Sequence, residues 1–303
     1  MDRAPSTTAW ALLVMSRPVH LLIVALVYVL GVGIALAHGA FFDRLSLVAG
    51  FAALVPVTAS IHYANEYADH ETDALTTRTR FSGGSGALPE TELSPTVALY
   101  AASVSLAVGA VVAGYGSYRG WLSVHAVAIL ALGALLGWSY SLPPLALAWR
   151  GLGELEHALL GGVLLPQYGV AVASGTYSRA AALATAPLCL LVFVNLLALM
   201  WPDREADAEV GKRTLATRLS ATWLRRLYLS AVLATFVSLA ALTGSVLPRP
   251  VALASYAIVP LLAWGASTYT KTESPLPTVL ALTVLAVAQS AAWFHVAGFY
   301  LIY

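Results

Sequence analysis

The chain has 303 residues, of which 59% are hydrophobic and 10% charged, and its mean hydropathy is +0.78. A soluble domain carries roughly 25% charged residues, so this chain has too few charges to cover a water-facing surface. A formal net charge of +1 also argues against a nucleic-acid-binding protein, which would carry a basic stripe. The composition therefore predicts a protein embedded in a lipid bilayer.

Nine apolar segments are long enough to cross a bilayer. Since lipid offers no partner to backbone N–H and C=O groups, each segment is expected to be a helix. The predicted fold class is an all-α, multi-pass integral membrane bundle of nine transmembrane helices around a central apolar cavity, with cytoplasmic caps. Residues 1–303 form a single domain in this interpretation. The predicted spans are residues 20–38, 45–64, 96–115, 121–141, 157–174, 181–201, 227–247, 251–270 and 277–302.

The charged residues predict the orientation of the bundle. Twelve of the 16 basic residues lie at the N-terminus or in the loops after spans 2, 4, 6 and 8. An excess of Lys and Arg marks the cytoplasmic side. We therefore expect the N-terminus and the loops at 65–95 and 202–226 in the cytoplasm, and the C-terminus outside the plasma membrane. Only Asp43 of the 15 acidic residues lies on the far side, and because acids hardly influence insertion, this gathering suggests that the cytoplasmic face uses carboxylates.

Two carboxylate motifs open the two long cytoplasmic loops. Asn65, Asp69 and Asp73 are spaced i, i+4, i+8, and Asp203 and Asp207 are again four apart. This spacing stacks the side chains on one face of a helix, where like charges require a cation. Oxygen ligands without His or Cys suit Mg²⁺, with Mn²⁺ as a substitute, and Mg²⁺ often binds substrate phosphate at the same time.

Basic residues follow each acidic motif at short range. Guanidinium and ammonium groups are the expected direct contacts to phosphate oxygens. A glycine-rich stretch at 81–86 can add backbone N–H groups to such a site. The four predicted diphosphate-binding residues are Arg78, Arg80, Lys212 and Arg213.

A plainer interpretation is that these charges are only solvated helix ends. The repetition of the motif, each time after an even-numbered span and each time followed by Arg or Lys, favours a binding site. Four glutamates lie off the aspartate faces and are expected to tolerate replacement by Ala better: Glu66, Glu71, Glu205 and Glu209. The histidines show no metal-binding spacing. His62 and His70 are expected to be structural or interfacial, and the other five have no assigned role.

The two motifs resemble the signatures of the UbiA superfamily of intramembrane prenyltransferases. The first is Asn65-x-x-x-Asp69-x-x-x-Asp73, and the second is Asp203-x-x-x-Asp207 followed by Gly-Lys-Arg-Thr-Leu at 211–215. The run at 78–89 is similar to the MenA-like branch, which prenylates 1,4-dihydroxy-2-naphthoate. So are Tyr140-Ser-Leu-Pro-Pro and the Trp-Arg-Gly-Leu-Gly-Glu run at 149–154 that follows it. The chain departs from that branch at 199–202, where Leu-Met-Trp-Pro stands in place of a polar Asn-Asn-Leu-Arg.

The resemblance implies that Mg²⁺ held by the four aspartates clamps a prenyl diphosphate. Departure of the diphosphate leaves an allylic carbocation, which a small aromatic acceptor then attacks. The resemblance places this reaction in menaquinone biosynthesis. Aromatic faces stabilise such a cation. No obligate protein partner is evident. The candidate aromatic residues are Tyr63, Trp138, Tyr140, Phe193 and Trp201.

Two alternatives stay open on the sequence alone. A UbiA-type terpene cyclase would ionise the same diphosphate but use the substrate's own double bond, and the weaker polar signature before Asp203 permits this. A transporter would use its carboxylates as an ion pathway, although its acids are expected at mid-membrane depth rather than at helix ends. Prenyl chain length and oligomeric state are not indicated by the sequence.

Overall fold

The computed structural model describes residues 8–76, 78 and 83–298, and no strand is assigned within these ranges. Nine helical segments in this part of the chain are long and apolar enough to cross a membrane, which confirms the predicted number. They are called spans 1 to 9 in chain order: Thr8–Ala37, Arg44–Ala68, Thr96–Tyr118, Val124–Ser141, Gly153–Ser174, Ala186–Glu209, Ala221–Leu242, Arg249–Thr268 and Leu276–Val296.

Three spans contain an interruption. Span 1 consists of helices Thr8–Met15 and Pro18–Ala37, span 5 contains a π-helical turn at Leu160–Leu164, and span 8 contains a 3₁₀ turn at Tyr256–Ile258. Shorter helices connect the spans: His70–Leu75, Ala87–Thr91, Leu147–Arg150 (3₁₀), Arg179–Ala184 and Leu215–Arg218.

The break in span 1 has a local cause and a consequence for the site. Arg17 adopts a left-handed conformation with φ of 53°, and Pro18 opens the following helix. Pro is favoured at this first helical position because its fixed φ suits the helix and its missing N–H would have no helical partner. The break turns the Arg17 side chain towards span 2, where its guanidinium contacts Asn65 and Glu66.

Small residues let the helices approach closely, as is usual between transmembrane helices. A Cβ added to Gly31 of span 1 would lie 2.1 Å from the carbonyl oxygen of Pro166 in span 5, and one added to Gly169 would lie 2.4 Å from that of Tyr28. Spans 1 and 5 are therefore in backbone contact at this crossing. Large apolar side chains such as Leu22 and Val111 are instead exposed on the outside, as expected for a lipid-facing surface.

The far end of the bundle explains the acidic residue that stood apart in the sequence. Asp43 caps the N-terminus of span 2, where its carboxylate accepts hydrogen bonds from the backbone N–H groups of Leu45 and Ser46 at 3.1 and 3.3 Å. Such a cap satisfies N–H groups that have no partner within the helix. Asp43 is thus a helix cap.

Candidate active site

The first aspartate motif lies where span 2 leaves the bundle. The helix of span 2 ends at Ala68, and the helix His70–Leu75 continues almost directly. The N–H groups of Asp69 and Asp73 donate to the carbonyls of Asn65 and Asp69 at 2.9 and 2.8 Å, so the i to i−4 ladder is unbroken there. Asn65, Asp69 and Asp73 consequently share one face, as their spacing predicts.

The second motif occupies the last turns of span 6, and the helix His70–Leu75 packs against it. Asp203 and Asp207 interact electrostatically with each other and with Asp69, so carboxylates from both motifs come together. Asp207 is 1% exposed and Asp69 8% exposed. The four aspartates of the two motifs are called the acid cluster below.

Lys212 supplies the positive charge that this cluster requires. Its Nζ lies 3.1 Å from Asp69 Oδ1 and 3.5 Å from Asp207 Oδ1, and the residue is 6% exposed. The contact to Asp69 is an ion pair without good hydrogen-bond alignment. Burial disfavours the ammonium, but Asp69 and Asp207 outweigh this effect and raise the pKa of Lys212 above its ordinary value. Lys212 is therefore charged and bridges the two motifs.

The glycine loop, residues 83–86, closes over the same carboxylates. A Cβ on Gly84 would lie 2.0 Å from Asp73 Oδ2, and Gly84 has a φ of +64°, so both contact and conformation require glycine. The Gly83 backbone lies close enough to the Asp203 carboxylate to interact with it electrostatically. Burial, followed by the charges of Asp69 and Glu66, raises the pKa of Asp73 to about 8. The loop thus links both motifs.

The other predicted phosphate contacts lie elsewhere or outside the described residues. The guanidinium of Arg78 pairs with Glu90 at 2.5 Å in an exposed position. Arg213 is exposed, and its backbone N–H donates to the Trp149 carbonyl at 3.3 Å. Arg80 falls outside the described residues. Lys212 is consequently the member of the predicted set that stands beside the acid cluster, and the roles of the other three stay predictions.

Glu66 requires a correction, because its surroundings are not those of a tolerant surface acid. It is 2% exposed and accepts hydrogen bonds from Arg17 Nε and Nη2 at 3.1 and 2.7 Å. It also accepts from the Ser85 backbone N–H at 3.1 Å and from the Ser85 hydroxyl at 2.5 Å. Arg17 Nη2 donates in addition to Asn65 Oδ1 at 2.9 Å, and the Asn65 amide donates to Asp69 Oδ2 at 2.8 Å. Glu66 therefore holds span 1, the first motif and the glycine loop together.

The remaining glutamates of that group fit the expectation better. The side chains of Glu71 and Glu205 are 76% and 81% exposed, and Glu209 is exposed. Two buried glutamates of span 5 were not singled out as site residues from the sequence. Glu154 accepts a hydrogen bond from the Leu215 N–H at 2.6 Å, which ties span 5 to the segment after the second motif.

The five predicted aromatic residues fall into three places. Tyr63 and Trp138 pack in one apolar cluster, and Phe193 and Trp201 pack against another. The Arg204 guanidinium lies 4.1 Å from the ring centroid of Trp201. Tyr140 of span 4 lies within electrostatic range of Lys212 and Asp69, so it is the one of the five that the described residues bring to the acid cluster. The cation-stabilising role of all five stays a prediction.

The acid cluster offers a donor set that fits a hard divalent cation. Asp69 Oδ1, Asp203 Oδ1 and Asp207 Oδ2 are buried oxygens without a hydrogen-bond partner. Such atoms are costly unless an ion or another group satisfies them. Among the described residues, no three His, Cys, Asp or Glu side chains already stand in metal-binding geometry. Lys212 Nζ lies between Asp69 and Asp207 instead, so modest movement of these side chains would be needed to bind Mg²⁺.

Several solved structures share this fold. A UbiA homolog from Archaeoglobus fulgidus bound to GPP and Mg²⁺ is 17% identical, with 95% of this chain and 99% of that chain covered and a TM-score of 0.67. The apo structure of a UbiA homolog from Aeropyrum pernix K1 is 18% identical, with coverages of 89% and 96% and a TM-score of 0.70. A digeranylgeranylglyceryl phosphate synthase is 14% identical, with coverages of 95% and 97% and a TM-score of 0.65.

Comparison with curated protein sequences gives no significant match. The family model described as the UbiA prenyltransferase family, in contrast, matches residues 24–284, which is most of the chain and includes both aspartate motifs. Nine spans, two converging aspartate motifs at one end of the bundle and this match lead to one assignment. The chain belongs to the UbiA prenyltransferase family.

Proposed function

We propose that this intramembrane prenyltransferase transfers a prenyl chain from a prenyl diphosphate to 1,4-dihydroxy-2-naphthoate, a step of menaquinone biosynthesis. The observation that carries the proposal is the meeting of the two aspartate motifs around Lys212 at the ends of spans 2 and 6. The A. fulgidus homolog has been solved bound to GPP and Mg²⁺, to DMAPP and Mg²⁺, and to Cd²⁺. These complexes support a prenyl diphosphate and a divalent metal as ligands of the present site.

Asp69, Asp73, Asp203 and Asp207 are the proposed metal ligands, and Asn65 orients Asp69 through its 2.8 Å hydrogen bond. Bound Mg²⁺ would neutralise the diphosphate and so favour its departure. Lys212 adds a fixed positive charge, and the backbone N–H groups of the glycine loop can donate to phosphate oxygens.

The choice of acceptor rests on the sequence of the loops. The glycine loop and the segment from Tyr140 to Glu154 are the parts that resemble the MenA-like branch. In the structure, the glycine loop closes over Asp73, while Tyr140 and Glu154 lie beside the acid cluster. The segments that carry the resemblance are thus positioned to contact a substrate next to the diphosphate.

The proposed location is the plasma membrane, with the acid cluster on its cytoplasmic side. The distribution of basic residues supports this orientation, because 12 of 16 lie at that end of the predicted bundle. The polar head group of the prenyl diphosphate and the aromatic acid then reach the site from the cytoplasm.

Product analysis tests the proposal directly. Purified protein in lipid nanodiscs is incubated with Mg²⁺, prenyl diphosphates of several lengths and a panel of hydroxyaromatic acids, and the products are identified by mass spectrometry. A prenylated naphthoquinol formed with loss of CO₂ is the expected result. A cyclic hydrocarbon or terpene alcohol formed from prenyl diphosphate alone would instead identify a terpene cyclase. Absence of diphosphate release under all conditions would contradict both.

A further inference from the structure

Three histidines from three different spans meet inside the bundle. The ring centroids of His20 in span 1 and His62 in span 2 lie 5.7 Å apart, and His157 of span 5 lies within electrostatic range of both. The His157 ring in turn lies 5.9 Å from Tyr140, centroid to centroid. His20, His62 and His157 are called the histidine pocket below. They are separated by up to 137 positions in the sequence, so their spacing does not predict that they lie together.

Hydrogen bonding defines which nitrogen of His62 can accept a proton. His62 Nδ1 lies 2.7 Å from the backbone carbonyl oxygen of Ser16. A carbonyl oxygen only accepts, so Nδ1 must carry the hydrogen, and the Nε2 of a neutral ring keeps a free lone pair. As whole residues, His62 is half-buried and His20 is exposed, so neither is sealed inside the protein.

The position of His62 along span 2 relates it to the acid cluster. His62, Asp69 and Asp73 recur at helical spacing on one side of the segment, and the helix advances about 1.5 Å per residue. His62 therefore lies about 10 Å deeper in the bundle than Asp69. Tyr140 contacts the histidine pocket and lies within electrostatic range of Asp69 and Lys212, so it spans the distance between them. Substrate atoms that lie about 10 Å from the acid cluster along span 2 would therefore be beside the histidine pocket.

We propose that His62 is the catalytic base of the reaction and that its Nε2 takes the hydroxyl proton of the aromatic acceptor. The inference rests on the proposed function. In this step the carbon–oxygen bond of the prenyl diphosphate breaks, with its electron pair leaving on the diphosphate. The ring carbon of the acceptor that carries the carboxylate forms the new carbon–carbon bond, while the neighbouring hydroxyl becomes a carbonyl and its proton passes to His62. Loss of CO₂ then leaves an enolate oxygen, to which the imidazolium returns the proton.

His20 is a positioning residue in this scheme, because its ring packs against that of His62 at 5.7 Å, whereas His157 lies within electrostatic range of both rings. A metal role for the three rings is not supported, since no group of three His, Cys, Asp or Glu among the described residues has metal-binding geometry. A purely structural role would leave the Nε2 side of His62 without a function, although the residue is half-buried and its neighbour His20 is exposed.

His62→Asn is the informative variant, because the Asn side-chain amide can still donate to the Ser16 carbonyl but offers no imidazole lone pair. Its matched control is His38→Asn: His38 Nδ1 also lies 2.8 Å from a backbone carbonyl, that of Ile34, at the far end of span 1. Both variants and the wild type are assayed for diphosphate release and for prenylated product, with folding checked by thermal unfolding. General bases contribute about 10²- to 10⁴-fold.

In His62→Asn we expect product formation to fall at least about a hundredfold while diphosphate release persists, with prenyl alcohol appearing as water captures the cation. His38→Asn should keep the wild-type ratio of product to diphosphate. The inference is overturned if folded His62→Asn keeps that ratio, or if it loses product and diphosphate release together. If His62→Asn does not fold, His62→Gln is measured in its place and judged by the same two outcomes. A wild-type enzyme that released no diphosphate would refute the proposed function itself, which keeps the two failures distinct.

Discussion

Replacing Glu66 by Ala should strongly destabilise the protein, although sequence spacing places this residue among the dispensable acids. The substitution removes the acceptor for four hydrogen bonds, two from Arg17 and two from Ser85. The Arg17 side chain is 25% exposed, so its charge would be left with little water and with the Asn65 side-chain carbonyl oxygen as its remaining hydrogen-bond acceptor. The Ser85 N–H and hydroxyl would lose their acceptor as well.

The magnitude follows from the burial of the pair. Removing one partner of a buried ion pair costs about 3–5 kcal/mol, because the other charge is left uncompensated. Partial exposure of Arg17 lowers this figure, while the two Ser85 groups add about 1–2 kcal/mol each in a charged hydrogen bond. Since these contributions share one carboxylate and are not additive, we expect a loss of about 3–5 kcal/mol in total.

Thermal unfolding in detergent micelles, followed by intrinsic fluorescence of the eight tryptophans, measures the effect. Glu205→Ala is the matched control, because Glu205 also pairs with an arginine, at 2.7 Å, but its side chain is 81% exposed. An exposed pair contributes about 0–1 kcal/mol, so this variant should melt close to the wild type. Glu66→Gln, which keeps an acceptor oxygen without the charge, should fall between the two. Equal melting temperatures for Glu66→Ala and Glu205→Ala would refute the reasoning.

The remaining predictions concern turnover, metal and topology. Asp69→Ala and Asp203→Ala should each lower turnover at least about a hundredfold without lowering the melting temperature as Glu66→Ala does; near wild-type rates would exclude both as metal ligands. Lys212→Ala should raise the KM for prenyl diphosphate as well as lower kcat, since the ammonium is the proposed direct contact to phosphate. Activity should vanish with EDTA and return with Mg²⁺ or Mn²⁺, so that full turnover in chelator would contradict the metal site. In a Cys189→Ser background, cysteines placed in the loops after spans 2 and 6 should react from the same, cytoplasmic side.

The spans and the acid motifs were predictable because their signals are local. Hydropathy over about 20 residues identifies a membrane-crossing helix, and a four-residue spacing identifies a shared helix face. The hydrogen bond between Asn65 and Asp69 depends on nothing outside the segment. The same is true of the position of Asp73 on that helix face. The meeting of the two motifs was inferred from their equivalent positions after even-numbered spans, and the Lys212 ion pairs to Asp69 and Asp207 agree with it.

What the sequence could not predict depends on residues far apart in the chain. Arg17 reaches Glu66 across 49 positions, and only after a left-handed residue breaks span 1. No periodicity indicates that break, although the Pro at position 18 marks a possible helix start. Helical spacing alone places Glu66 off the aspartate face, because it takes no account of the segments that pack against span 2. In a packed bundle, the side turned away from the substrate is not the solvent side, and here it is covered by span 1 and the glycine loop.

Span 2 carries the residues of the candidate site at different depths in the bundle. Its last turns carry His62 and then Asn65 and Glu66, and the following short helix continues from Asp69 to Asp73. Because these residues share one almost continuous helix, the separation between the deepest ring and the acid cluster is fixed by the helical rise and not by loop conformation. A fixed separation suits the proposed reaction, in which the diphosphate leaves at the acid cluster and the proton is accepted at His62. The Arg17 network holds that helix from the side, so a change at Glu66 should disturb both ends at once, whereas a change at His62 should disturb only the deeper one.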